Sequence, residues 1–86
     1  MRFTYDDEAD ALYIYLREGA EIERSVVLDD DRTVDVDAHG RAIGIEILGA
    51  SERVELKDIA VHFHLQDRWD ALSAIEGTQF RRAVRA

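Results

Sequence analysis

Apolar side chains recur at even spacings through the first half of the chain: Phe3 and Tyr5, then Leu12, Ile14 and Leu16, then Ile22, Val26 and Leu28, then Val34 and Val36, then Ile43, Ile45 and Ile47. Alternate residues of a strand face opposite ways, so each run predicts a strand with one apolar face. The intervening stretches DDEAD, REGAE, DDDR and DAHGR are short and polar. Links of this length join antiparallel neighbours, because a parallel crossover needs a dozen residues or more. The pattern predicts an antiparallel meander of about five strands, with Leu12, Ile14, Val26, Leu28, Val34, Val36, Ile43, Ile45 and Ile47 on its core face.

The period changes after Ser51. Leu56, Ile59, Ala60 and Phe63 fit one helical face, and Trp69, Leu72, Ile75 with Gln79 and Phe80 fit another. Asp67 suits the N-cap of the second helix and Gly77 its stop. IAVHFHLQ also alternates, so residues 59–65 could form a sixth strand, but the helical spacing upstream at Leu56-Lys57-Asp58 favours helix. The fold class is therefore α+β: an antiparallel β domain over residues 1–50, then a helical C-terminal extension of two short helices over residues 51–86. Tyr13, Tyr15, Val27 and Leu48 point away from the core face, and the extension is the expected cover for that second face unless a partner takes it.

Composition narrows the class. Eighty-six residues form one small domain with a thin core, which favours pairing with a second copy or another protein. With no Cys there is no disulfide, thiolate nucleophile or zinc thiolate. Acids occupy the place where a signal peptide needs its apolar core, and no apolar run reaches the length of a membrane span, so the cytoplasm is the expected compartment. The net charge of −8 disfavours nucleic acid. It is uneven, with −9 over residues 1–65 and +1 over residues 66–86. An acidic body attracts a basic partner.

Several stretches invite a chemical reading. The four carboxylates of DDEAD could hold a hard cation, but Asp6 can cap the following backbone N–H groups, and a helical turn joining two strands explains the cluster. In DVDAHGRAIGIE, Asp35, Asp37, His39, Gly40 and Glu46 fall at the spacing of a calcium loop. Its flanks alternate as strands rather than helices, which makes Ala38-His39-Gly40-Arg41 a hairpin turn and puts Asp35 and Asp37 on one outward face opposite Glu46. His62 and His64 would share a face only on a strand. No metal site, cofactor or catalytic residue is nominated, and Asp35, Asp37, Glu46, His62 and His64 are the residues that come nearest to a metal set. Ser25, Ser51 and Ser73 lack a nucleophile motif, so the reading leans away from an enzyme.

TYDDEADALYIYL followed by SVVLDDDRTVDVDAHGRAIGIEILGAS resembles the small bacterial family called domain of unknown function 2283 over residues 2–51. The resemblance lies in Tyr5-Asp6, in Glu8 to Ile14, in Val34 to Asp37 with Gly40, and in Gly44 to Leu48. It implies a compact β-rich fold without an established activity and, since members are sometimes encoded beside toxin-like proteins, an antitoxin or accessory role by analogy. The tail after Ser51 departs from the family pattern. The leading expectation is a non-enzymatic interaction module, homodimeric or bound to a small basic protein. The alternatives are a divalent-metal-binding domain or metal-dependent enzyme, and a DNA-binding regulator whose two C-terminal helices act as a helix-turn-helix while Arg81, Arg82 and Arg85 touch phosphate.

Overall fold

A computed structural model describes residues 1–84, and the apolar runs form five strands: β1 (Arg2–Asp6), β2 (Ala11–Tyr15), β3 (Arg24–Val27), β4 (Arg32–Val36) and β5 (Ala42–Leu48). Two short helices follow, α1 (Lys57–His62) and α2 (Trp69–Glu76), with a single 3-10 turn over Gln66–Arg68 between them. Every pairing is antiparallel, as the short links require. The order is β1-β2-β5-β4-β3, which corrects the meander: β5 inserts between β2 and β4, and β3 becomes an edge. The physical reason is burial. Ala42, Ile43, Gly44, Ile45 and Ile47 are all buried, a content suited to the centre of a sheet, whereas Ile22 is exposed and joins no strand. The link from β2 to β3 then runs across the end of β5, where the N–H groups of Leu16 and Arg17 donate to the Ile43 carbonyl at 3.1 and 3.2 Å.

A bulge breaks the register. Val36 pairs with Ala42 and Asp35 with Gly44, leaving Ile43 as the extra residue. Ile43 consequently leaves the core face and lines a depression with Tyr13, Tyr15 and Ile22 on the opposite side. The other central residues behave as their alternation predicts: Leu12, Ile14, Val34, Val36, Ile45 and Ile47 are fully buried, with Val26 and Leu28 half-buried near the β3 edge.

The extension covers the core face, not the second face. Leu56, Ile59, Ala60, Leu72 and Ile75 join one cluster with the inward residues of β2, β4 and β5. The sheet's most apolar surface thus takes the most apolar cover, and the face carrying Tyr13, Tyr15, Val27 and Leu48 stays open. Residues 57–62 are helical, as the upstream spacing requires, and Gly77 caps α2. Asp67 lies in the 3-10 turn and caps nothing; α2 starts from Arg68 without a side-chain cap. Beyond α2, Phe80 packs edge-on against Phe3 at 5.7 Å and against Tyr5 at 4.9 Å, and Ala83 N–H donates to the Asp7 carbonyl.

The first turn is organised by two aspartates. Asp6 accepts from the N–H groups of Glu8 and Ala9, which explains the acid at that position. Asp10 does more. It is buried in a left-handed conformation (φ 53°), and its carboxylate accepts from Tyr5 Oη at 2.6 Å, Ser51 Oγ at 2.6 Å and Ser51 N at 2.9 Å. Its carbonyl accepts from the N–H groups of Gly49 and Ala50. Burial opposes the Asp10 charge, but the hydrogen bonds from Ser51 and Tyr5 outweigh it and hold the carboxyl below its usual range. Burial and the bond to Asp10 push the Tyr5 phenol up to about 12.

Two outcomes follow from this arrangement. Ile45→Asp is expected to abolish the cooperative melting transition, because an unpaired buried carboxylate costs several kcal/mol, about the whole stability of so small a domain. Asp10→Ala should cost about 2–3 kcal/mol by orphaning the buried donors of Ser51 and Tyr5, against a few tenths for Asp7→Asn, measured by urea unfolding. Since the folded carboxyl titrates below the unfolded one, the Asp10 contribution is full above about pH 4 and fades as pH falls through the folded value, so wild type and variant should converge in acid.

Candidate functional site

The residues that come nearest to a metal set are dispersed by the fold. Asp35 lies on the open face opposite Gly44, and Glu46 lies diagonally from it, opposite Thr33 and Tyr13. Gly44 has no side chain because Tyr13 lies over it; a Cβ there would collide with the phenol ring. The Tyr13 hydroxyl crosses β5 above that glycine to donate to Asp35 at 2.6 Å, and Ser25 Oγ donates to the other carboxylate oxygen. Burial and the carboxylate together push the Tyr13 phenol well above its usual range. Asp35 is thereby occupied.

Asp37 does not share the outward face with Asp35. It is buried in the β4–β5 turn, accepts from the N–H groups of His39 and Arg41 at 2.9 Å each, and accepts from Arg41 Nε at 2.8 Å. Arg17 approaches the same oxygen at 3.8 Å. The backbone bond from Arg41 is the main cause of its lowered pKa; burial works the other way. Gly40 supplies the positive φ of 78° that closes the turn. This is hairpin chemistry rather than a calcium loop. Among the described residues, no three His, Asp or Glu side chains gather where they could hold a metal ion.

His62 and His64 belong to a different constellation. Antiparallel topology delivers the β2–β3 link and the β4–β5 turn to the same end of the sheet, and α1 terminates over that end. Helix α1 closes with Leu65 N–H on the Ala60 carbonyl at 2.7 Å and His64 N–H on the Val61 carbonyl at 3.4 Å, a Schellman ending. The position that usually takes glycine holds His64, at φ 58°. Between these elements lies a cleft of about 710 Å³, within the range of small-molecule sites. Its rim carries His39, His62 and His64, all the histidines of the chain, together with Arg17, Arg24, Arg41 and Arg68. Its floor is apolar, with Val26, Phe63 and Leu65.

Charge is thus sorted by end. The charged lining side chains are four arginines and Asp67, a net +3, which leaves −11 on the rest of a chain of net −8. Asp37 sits behind the rim and steadies Arg17 and Arg41, while Arg68 Nη1 donates to the Leu16 carbonyl at 2.8 Å. Arg24 has neither an ion pair nor a side-chain hydrogen bond among the described residues. The opposite end presents the turns containing Asp6, Asp7, Asp29, Asp30 and Asp31. His39 and the arginines escape a linear reading because the chain spreads them from residue 17 to residue 68; two hydrophobic-flanked histidines at His62 and His64 were the visible signal. Of the tail cations, Arg82 lies 3.9 Å from Asp10 rather than on a helix, Arg81 is exposed beyond α2, and Arg85 lies outside the described residues.

The family model described as "Protein of unknown function (DUF2283)" matches residues 2–51, more than half of the chain. No curated protein and no solved structure matches it. No helix among the described residues is long and apolar enough to cross a membrane.

A left-handed backbone costs an L-residue about 1–2 kcal/mol, partly offset by the greater unfolded-state freedom of glycine. His64→Gly is therefore expected to raise stability by about 0.5–1 kcal/mol, read as an increase in the urea midpoint without a change in slope. A destabilised His64→Gly would mean that the imidazole is a packing element rather than a rim group.

Proposed function

We propose that this chain, which belongs to the DUF2283 family, is a non-enzymatic interaction module that recognises its partners by charge. The separation of its ends carries the reading. The histidine–arginine cleft suits an anionic group, and the acidic turns at the far end suit a basic protein, with neutralisation of a small toxin-like partner as the finer form of that second contact. Such sorting speeds encounter and selects orientation more than it adds affinity. The open sheet face supports self-pairing as well: Val27 on the β3 edge is 71% exposed and Leu48 at the end of β5 is 40% exposed.

Co-purification of the full chain from its own cells at low and at high salt tests the proposal. Partners are expected to dissociate as salt rises, since the Debye length shortens from about 10 Å at 0.1 M to about 3 Å at 1 M. Asp30→Lys combined with Asp31→Lys should lose basic partners and keep anionic ones, and Arg24→Glu should do the reverse. Partners that are indifferent to both reversals would sink the idea. For the open face, light scattering should report a dimer that Leu48→Lys with Val27→Lys converts to monomer, and a monomer at every concentration would refute self-pairing.

A further inference from the structure

We propose that the cleft at the His39–His62 end binds small organic phosphates, each a phosphate monoester carried on an apolar body. The inference rests on the reading of this cleft as an anion site and names the ligand it takes. Three features select the chemistry.

The first is the number and kind of cations. A single carboxylate is matched by one guanidinium fork, whereas this rim offers four guanidinium groups, with three imidazoles beside them as hydrogen-bonding groups. A dianionic group with three terminal oxygens can engage several of them at once, and arginine's planar fork fits phosphate oxygens in pairs. Arg41 and Arg68 are held by Asp37 and the Leu16 carbonyl, so their positions are set before a ligand arrives. Among the described residues Arg24 has neither an ion pair nor a side-chain hydrogen bond, and it supplies the uncommitted charge.

The second is the floor. Val26, Phe63 and Leu65, each half-buried, form an apolar surface beneath the cationic rim. Inorganic phosphate alone would leave that surface in water. A ligand with an apolar or aromatic body covers it, at about 25 cal/mol for each Å² removed from water.

The third is the rest of the molecule. A nucleic-acid strand entering the cleft would continue over a surface carrying −11, and repulsion acts over the Debye length of about 8 Å at physiological salt. A small phosphate ester ends within the cleft and avoids that field. His64 fits the same picture, because an imidazole stands on the rim at a backbone position that glycine would occupy at lower cost.

The full-length chain is titrated with phenyl phosphate, inorganic phosphate and benzoate at low ionic strength, followed by amide chemical shifts and calorimetry. Phenyl phosphate is expected to bind saturably, at least about tenfold tighter than either of the other two, with shifts confined to the cleft residues. Arg24→Ala should weaken it about tenfold, the size of one charge-assisted contact. His64→Gly should weaken it while leaving the fold intact, and Arg53→Ala at the acidic end should leave it unchanged. Absence of saturable phenyl phosphate binding, or binding indifferent to both Arg24→Ala and His64→Gly, overturns the proposal. Inorganic phosphate binding as tightly as phenyl phosphate overturns the apolar body. Arg24-dependent capture of an acidic protein without any response to phenyl phosphate overturns the ligand class and leaves the anion site standing; loss of both responses overturns the two together.

Discussion

A buried carboxylate is stable in a small protein only where donors surround it, and at Asp10 those donors come from two distant parts of the chain. Tyr5 belongs to β1 and Ser51 begins the extension, while the amides of Gly49 and Ala50, at the end of β5, donate to the Asp10 backbone carbonyl. One residue therefore fixes where the first turn sits, where the central strand stops and in which direction the following segment departs. That departure angle lays Leu56, Ile59 and Leu72 on the core face. It also brings the end of α1 over the far end of the sheet, so the wall of the cleft depends on a carboxylate at the opposite end of the strands.

The sorting of charge is a consequence of antiparallel pairing more than of any single contact. Successive turns of such a sheet alternate between its two ends. The turns rich in aspartate, after β1 and after β3, fall at one end, and the turn with His39 and Arg41 falls at the other with Arg17 and Arg24. Seen as a total, −8 describes neither end. Behind the cleft Asp37 plays two parts, closing the turn through backbone amides and steadying two arginines, which makes it a positioning group rather than a ligand contact.

Strand positions and most of the core were legible in the sequence because alternation survives everywhere but the start of β5, and helix over residues 57–62 was legible from Leu56, Ile59 and Ala60. Four features were not. Strand order depends on which strand is buried on both faces, and the small residues Ala42 and Gly44 hid that β5 is central. Ile43 has the right parity for the core and loses it to a bulge, which no periodicity reveals. The extension was expected on the tyrosine face because two tyrosines looked apolar enough to need cover, yet Tyr13 is satisfied by Gly44 beneath its ring and Asp35 at its hydroxyl. His62 and His64 were noticed as a pair, but their companions come from distant loops, and proximity across loops is not written in spacing.

The position of β5 also governs the order of events during synthesis. Two hairpins, β1–β2 and β3–β4, are local and can pair as soon as their residues emerge, but isolated two-stranded hairpins are marginal in water. The strand that joins them is made last, and its pairing of Ala11 with Leu48 spans most of the sheet's length of chain. β5 reaches β4 through a short turn, so the long loop is closed only when β5 pairs with β2, and that pairing carries the largest chain-closure cost in the sheet. A nascent chain interrupted before Leu48 therefore exposes two inner hairpin edges, those of β2 and β4, with nothing between them, and the interval before β5 arrives is when such a chain is most open to pairing with the wrong strand.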